Sequence, residues 1–181
     1  VAVVRSGMGR QHAESAARTM LEHIAPEHAL ILGFCGGISE WAGPSDLVLA
    51  EYVMDWPDFP GESDTDQPDR TLHPDPSMLE AARRVDVPGV HVIEGGILSV
   101  GTLVRTTLMK GFHGPRAPRC RALDMETGPV AAVLEESQVP WVAVRAVTDT
   151  IDEDLPLPFE EFLGRGGDVD RTRVIGVVFA H

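Results

Sequence analysis

Apolar, β-branched runs alternate along this chain with segments whose apolar residues recur at helical spacing, and this alternation constrains the fold more than any other feature. Strand-like runs occur at "VAVVRSG", "HALILGFCGGI", "SDLVLAEYVM", "VHVIEGGILSV" and "PWVAVRAVTD". Helical patterns occur between them at "RQHAESAARTMLEHIAP", "SMLEAARRV" and "GPVAAVLEESQ". We therefore expect one α/β domain over residues 1–181, a three-layer α/β/α arrangement around a mixed, largely parallel central sheet.

Two stretches lack this alternation. Residues 56–76 are rich in Pro and Asp, which predicts a long surface loop, and such a loop serves as an interface, a site cover or neither. The C-terminal "FEEFLGRGGDVDRTRVIGVVFAH" predicts a helix that is broken near Gly164 to Gly167.

Glycine turns follow the first two strand-like runs. "SGMG" is a tight turn, a degenerate dinucleotide fingerprint with His12 in place of the third glycine, or a turn that brings backbone amides to a small ligand. In "GFCGG" the glycines Gly33, Gly36 and Gly37 allow close helix–strand packing or form a bare backbone floor for a ligand. Neither stretch has the Gly-Lys-Ser/Thr of a phosphate-binding loop.

Charge and composition exclude several function classes. The net charge is −13 and the pI about 4.8, which argues against nucleic acid and anionic membrane surfaces as partners. The seven histidines and two cysteines show no metal-ligand spacing, so we expect no metal site. Cys35 and Cys120 are expected to be reduced thiols in a cytoplasmic protein, although one bond between them is also compatible with the sequence.

Three carboxylates stand where apolar segments begin or end. Asp124 and Glu126 flank Met125 in "RALDMETGPVAAV", and Asp149 ends "WVAVRAVTD". An unpaired buried carboxylate is costly, so these acids need cations, hydrogen bonds or a function. Asp149 is a helix cap, or an acid in a water-poor pocket that holds a proton near neutral pH. We expect Arg145 to be a buried partner of one of these acids.

Together these residues resemble a known family. "VAVVRSGMGRQHA", "ILGFCGGIS", "ALDMETGPVAAVLEESQVPWVAVRAVTDTID" and "PLPFEEFL" are similar, in order and spacing, to the nucleoside phosphorylase and nucleosidase superfamily. The resemblance is greatest to its methylthioadenosine/S-adenosylhomocysteine nucleosidase branch and runs from Val1 to about Leu163. It implies a nucleoside phosphorylase-like fold and a homo-oligomer. The family also has an earlier strand, with a glutamate that activates the attacking water, which we expect this chain to lack.

The resemblance implies roles for individual residues. Glu126 would accept hydrogen bonds from ribose hydroxyls, and Asp149 would protonate the departing purine. These two are the candidate catalytic residues. The candidate substrate-binding residues are Met125, Asp124, Thr148, Leu103, Val104, Phe159, Met8, Phe34 and Gly36.

Departures from the family pattern qualify these roles. Asp124 replaces a glutamate, so it has lost a ribose contact or is structural. Phe34 replaces a serine that helps to position the nucleophile, and Leu103 replaces an aromatic that stacks on the base. Ile31 stands where phosphorylases often have arginine, which favours water over phosphate, although Arg5, Arg10 or Arg105 could substitute.

We therefore expect an enzyme that hydrolyses the N-glycosidic bond of a purine nucleoside, an adenosine derivative with a 5′ substituent. Breaking this bond builds positive charge on the sugar and negative charge on the base, which a carboxylate and an acid can stabilise without any metal or organic cofactor. Two alternatives are a phosphate-dependent purine nucleoside phosphorylase and a purine- or nucleoside-binding protein with impaired catalysis.

Overall fold

The computed structural model describes residues 1–57 and 68–155 of the chain. Within them lie the strands and helices β1 (Ala29–Gly37), β2 (Leu47–Trp56), β3 (Arg70–Leu72), β4 (Val92–Val100), β5 (Cys120–Asp124), β6 (Trp141–Asp149), α1 (Arg10–His23), α2 (Pro76–Arg83), α3 (Thr107–His113) and α4 (Thr127–Glu136). A short 3-10 helix, Gly114–Arg116, follows α3. The expected mixed α/β fold is confirmed, and the strand-like runs at β1, β2, β4 and β6 lie where the sequence predicts them.

The sheet closes on itself. The order is β3-β2-β4-β5-β1-β6, and β2 also pairs with β6. In the described part of the chain, β2–β4, β4–β5 and β1–β6 are parallel. The pairs β1–β5, β2–β3 and β2–β6 are antiparallel, so the sheet is mixed.

The buried side chains form two groups. One packs α4 onto the sheet and includes Ile31, Val48, Ala131, Leu134 and Ala143. The other lies at the C-terminal ends of β2, β4 and β5 and includes Trp56, Leu98, Val104, Ala117 and Leu123. Because this second group underlies the strand ends, it supports the loops that carry the candidate site.

The prediction of a buried strand at residues 1–7 is wrong. These residues adopt no strand, and Val1 and Val3 are fully exposed. A strand needs a neighbour to accept its hydrogen bonds, and no described strand lies alongside this segment. Apolar periodicity alone does not reveal whether that neighbour exists.

Two regions expected to be loops contain secondary structure. Inside residues 56–76, Arg70 to Leu72 form β3 on the outer edge of β2, and Asp75 caps α2 by accepting hydrogen bonds from the Ser77 and Met78 amides. After β4, where the sequence analysis identified no helix, the chain forms α3, and its cap is the Thr106 side chain. Residues 58–67 and the predicted C-terminal helix lie outside the described residues.

Candidate active site

The turn between the N-terminal segment and α1 contacts Glu126. Gly7 and Gly9 have φ of 78° and 92°, a backbone conformation that favours glycine. The turn directs the Gly9 amide at Glu126, to which it donates a hydrogen bond of 2.6 Å at Oε1. The interpretation of "SGMG" as a tight turn therefore fits. The Gly9 amide is bonded to a side chain of the same chain, and the approach of backbone amides to a small ligand stays a prediction.

Glu126 lies between the end of β5 and the first turn of α4. Burial raises the pKa of its carboxyl above the ordinary value, and the nearby charge of Asp124 raises it further. The Gly9 amide opposes these effects without cancelling them. A carboxyl in this setting is destabilised as an anion until positive charge approaches, which suits a group that faces a cationic sugar.

Asp124, by contrast, is enclosed by protein partners. Its Oδ2 lies 2.7 Å from Nη2 of Arg145, and both side chains are almost fully buried. The amide and hydroxyl of Thr127 also donate to this carboxylate. The prediction that Arg145 pairs with a buried acid is confirmed, and of the two readings of Asp124 these contacts favour the structural one.

Gly33 makes room for that ion pair. A Cβ at this position would lie 1.8 Å from Nη1 of Arg145, well inside contact distance. The first glycine of "GFCGG" is therefore required by close packing, but the packed group is a guanidinium from the neighbouring strand β6 and not the helix that the sequence analysis expected.

Asp149 ends β6 and is buried. Its Oδ2 accepts a hydrogen bond of 2.5 Å from Nζ of Lys110, and its Oδ1 accepts one of 2.6 Å from the Thr148 hydroxyl. A Cβ at Gly36 would lie 3.1 Å from Oδ2, so the carboxyl group rests against bare backbone. At Gly36, then, the bare backbone of "GFCGG" lies beneath a candidate catalytic carboxylate.

Strand pairing brings the two candidate catalytic acids to the same region. Gly36 of β1 is opposite Leu123 of β5 and also opposite Asp149 of β6. Leu123 is three residues before Glu126 in the chain, so both acids emerge where the C-terminal ends of these three strands meet. The sequence predicted a strand end at Asp149, but it indicated neither the strand β5 before Glu126 nor the antiparallel pairing of β5 with β1.

The other candidate binding residues divide by burial. Met8, Met125 and Leu103 are half-buried, and Val104 is buried among the apolar residues below the strand ends. Phe34 is 72% exposed and alternates along β1 with exposed Leu30 and Leu32. Phe159 lies outside the described residues.

Sequence reasoning missed Lys110, which lies in α3 with a fully buried side chain. A signal was available, because Lys110 is the only lysine among the 15 lysine and arginine residues of the chain.

Arg10, which could have served a phosphate, is held elsewhere. It makes a bidentate pair with the fully buried Asp55 at 2.5 and 3.0 Å, and Arg70 adds a contact of 3.2 Å. An arginine in a bidentate pair can bind an anionic ligand only if its hydrogen bonds to Asp55 are broken.

Other kinds of site find no support in the part of the chain described here. Across residues 1–57 and 68–155, no three His, Cys, Asp or Glu side chains are grouped so as to hold a metal ion. None of the described helices has both the length and the hydropathy of a bilayer crossing. Both Cys35 and Cys120 are buried free thiols.

Comparison with known structures supports the fold. The 5′-methylthioadenosine/S-adenosylhomocysteine nucleosidase of Neisseria meningitidis, solved with methylthio-immucillin-A, has a TM-score of 0.74 at 23% identity, over 97% of this chain and 79% of its own. The nucleosidase of Colwellia psychrerythraea, solved with adenine, has a TM-score of 0.74 at 20% identity, over 88% of this chain and 69% of its own.

Sequence comparison extends the similarity. The 5′-methylthioadenosine/S-adenosylhomocysteine nucleosidase of Shewanella loihica is 28% identical over 189 residues, covering 98% of this chain and 80% of the relative. The family model described as the phosphorylase superfamily matches residues 1–170. Since that match includes the glycine turn at α1, the Glu126 segment and Asp149 together, the chain belongs to the phosphorylase superfamily.

Proposed function

We propose that this protein hydrolyses the N-glycosidic bond of a purine nucleoside, and that the substrate is an adenosine with a 5′ substituent. One observation carries the proposal: Glu126 and Asp149 emerge from strands that meet at Gly36, within a chain similar to methylthioadenosine/S-adenosylhomocysteine nucleosidases over 98% of its length. The three-layer, single-domain architecture and a cytoplasmic location belong to the same proposal.

The two acids divide the chemistry between them. As the C–N bond breaks, its electron pair moves to the purine and the sugar becomes oxocarbenium-like. Asp149 delivers a proton to the base, which makes the base a better leaving group. Glu126 binds the ribose hydroxyls and places negative charge beside the developing cation. Met125 packs on the sugar, Met8 lies near the 5′ group, and Thr148, Leu103, Val104 and Phe159 line the base pocket.

Water is proposed as the nucleophile in preference to phosphate. A phosphate needs a dedicated cluster of donors, and Ile31 supplies none where related phosphorylases often have arginine. Arg10 is committed to Asp55. Two observations thus support hydrolysis.

A nucleoside panel with and without phosphate tests the proposal. We expect release of adenine from methylthioadenosine at equal rates in both buffers, with a free sugar as product. Dependence on phosphate and formation of a ribose 1-phosphate would identify a phosphorylase instead. Tight binding of adenine with no turnover would identify a binding protein.

Substitutions test the assigned roles. Asp149→Asn and Glu126→Gln should each lower turnover by about 10² or more with the fold retained. Asp152→Asn removes an exposed carboxylate just beyond β6 and is the matched control, expected to be active. Near-normal adenine release by both site variants would refute these roles.

A homo-oligomer is proposed as well. Leu30, Leu32 and Phe34 form an exposed apolar row on β1, 58%, 65% and 72% exposed, which a second copy would cover. Sedimentation velocity of the wild type and of Leu32→Lys measures this association. A wild-type monomer at micromolar concentration would contradict it.

A further inference from the structure

The single lysine of the chain occupies an expensive position. Lys110 is 0% exposed, whereas lysine is almost never fully buried unless it is paired. Removing an ammonium from water costs several kcal/mol, which good geometry must offset. All the other lysine or arginine positions of this sequence are arginine, so a lysine at position 110 calls for a specific explanation.

The ammonium of Lys110 uses all three of its donors. Nζ donates to Oδ2 of Asp149 at 2.5 Å, to the Thr150 carbonyl at 2.5 Å and to the Glu153 carbonyl at 2.7 Å. Three acceptors converging on one point match a compact ammonium and not the flat fork of a guanidinium. Asp149 is the one carboxyl group among these three acceptors, so the charge of Lys110 lies beside the Asp149 side chain.

Neighbouring contacts fix the helix that carries Lys110. The Thr107 amide at the start of α3 donates to Asp154 at 2.6 Å, and the Leu155 amide donates to the Arg105 carbonyl at 2.8 Å. Residues 154 and 155, which follow β6, are therefore hydrogen-bonded to residues 105 and 107 at the start of α3. The start of α3 cannot move away from residues 154 and 155 without breaking these contacts.

We propose that Lys110 is a positioning residue for the proton transfer that Asp149 performs, an inference that rests on the function proposed above. Lys110 holds Oδ2 of Asp149 against the bare backbone of Gly36 and thereby fixes the direction of the carboxyl group. In the reactive state the Thr148 hydroxyl donates to the Cys35 carbonyl, 3.1 Å away, which leaves Oδ1 of Asp149 free to carry the proton. When that proton passes from Oδ1 to the purine and the C–N bonding pair moves to the base, Asp149 becomes an anion. The Lys110 ammonium keeps its three protons and compensates that new charge.

A merely structural lysine would tie α3 to residues 150–153 and have no selective effect on proton transfer. The leaving group separates the two cases. Adenine needs a proton to depart, whereas the nitrophenolate of 4-nitrophenyl 5-methylthio-β-D-ribofuranoside departs without one. A residue that acts through Asp149 affects the first substrate and spares the second.

The test compares Lys110→Met with the wild type on both substrates. We expect kcat/KM for methylthioadenosine to fall by about 10² or more, mostly in kcat, and kcat/KM for the nitrophenyl riboside to fall by less than about tenfold. Lys110→Arg keeps the charge but cannot reproduce the three converging hydrogen bonds, so it should recover only a small part of the loss. Adding Lys110→Met to Asp149→Asn should cause little further loss, because residues that act as a unit are not additive.

Outcomes distinguish the inference from the proposed function. Equal losses on both substrates, with an active wild type, would overturn the positioning role and leave the nucleosidase function standing. A wild type that releases no adenine would refute the function itself and this inference with it. Arg116→Met, which removes a cation from the turn after α3, is the control and should leave both rates unchanged.

A measurement on the unsubstituted side chain covers the case in which Lys110→Met fails to fold. Protein labelled with ¹⁵N-lysine has one side-chain ammonium signal, because the sequence has one lysine. We expect that signal to shift when adenine is added to the wild type, and to differ in Asp149→Asn. A signal that is identical in all three samples would overturn the proposal.

Discussion

Replacement of Arg145 by methionine should leave the buried carboxylate of Asp124 without a cation. The Arg145 and Asp124 side chains are 4% and 1% exposed, and Nη2 and Oδ2 are 2.7 Å apart. Breaking a buried pair from one side typically costs about 3–5 kcal/mol, because the remaining charge has no water to solvate it. Arg145 also donates to the Thr127 hydroxyl at 2.7 Å, and methionine cannot replace that bond.

Such a loss is large against a total stability of about 5–15 kcal/mol. For a chain of this size it corresponds to a fall in Tm of about 6–20 °C. The free energy of unfolding from urea titrations, followed by circular dichroism, measures it directly. Adding Asp124→Asn to Arg145→Met removes the stranded charge, so the double variant should be more stable than Arg145→Met alone.

The chain offers a matched control. Arg83 and Glu94 are also 2.7 Å apart, but their side chains are 36% and 38% exposed. An exposed pair contributes about 0–1 kcal/mol, so Arg83→Met should change stability by no more than that. Equal losses for Arg83→Met and Arg145→Met would show that burial does not govern this ion pair and would refute the reasoning.

Three further predictions concern the site and the thiols. Gly36→Ala places a methyl group 3.1 Å from Oδ2 of Asp149 and should lower kcat while the melting temperature stays nearly constant; an unchanged kcat would contradict the close approach. The pKa of Glu126 is higher in the folded protein than its ordinary value of 4.5. Above pH 4.5 the unfolded chain therefore loses a proton that the native state keeps. The free energy of unfolding falls as the pH rises from 4.5 to the folded-state pKa. Glu126→Gln should therefore gain stability over the wild type between pH 4 and pH 7 in urea titrations, and a constant difference would argue against the shift. Burial raises the pKa of the Cys35 thiol, and raises that of the Cys120 thiol to about 12, so both should react with a disulfide reagent only after denaturation; rapid labelling of the native protein would disprove this.

Local sequence patterns were sufficient to predict a helix, which makes its own hydrogen bonds, or a strand whose neighbouring strands are present. The helix at α1 follows from alanines at helical spacing, and two of them, Ala13 and Ala17, are its buried residues. The strand at β6 follows from an apolar run that is buried on both faces over much of its length. In both cases the driving force is burial of apolar surface, and the spacing of apolar residues in the sequence shows which side chains are buried.

Other features depend on partners that are distant in sequence. The run at residues 1–7 has the composition of a strand but no described neighbour. The strand β3 has three residues, too few for any period, and exists because β2 offers an edge. Closure of the sheet by β2 and β6 depends on pairing between residues 47–49 and 144–146, which no local pattern encodes.

The candidate site was predictable in part for the same reason. Resemblance located Glu126 and Asp149, and the cost of burying charge anticipated a cation for one acid. The sequence did not indicate which acid pairs with Arg145. That pairing depends on the registers of β5 and β6 against β1, the strand between them. Lys110 escapes prediction because the sequence analysis identifies no helix at α3, although Thr106 has the residue type of a helix cap.

The packing of Arg145 over Gly33 has a consequence for sequence variation. Any side chain at position 33 collides with the guanidinium, so a natural homologue or a library member that acquires one there must displace the guanidinium or replace arginine at 145. The acid at 124 then loses its counter-ion and must become neutral in turn. These three sites should covary as a linked set, and saturation of position 33 with arginine retained at 145 should return almost only glycine.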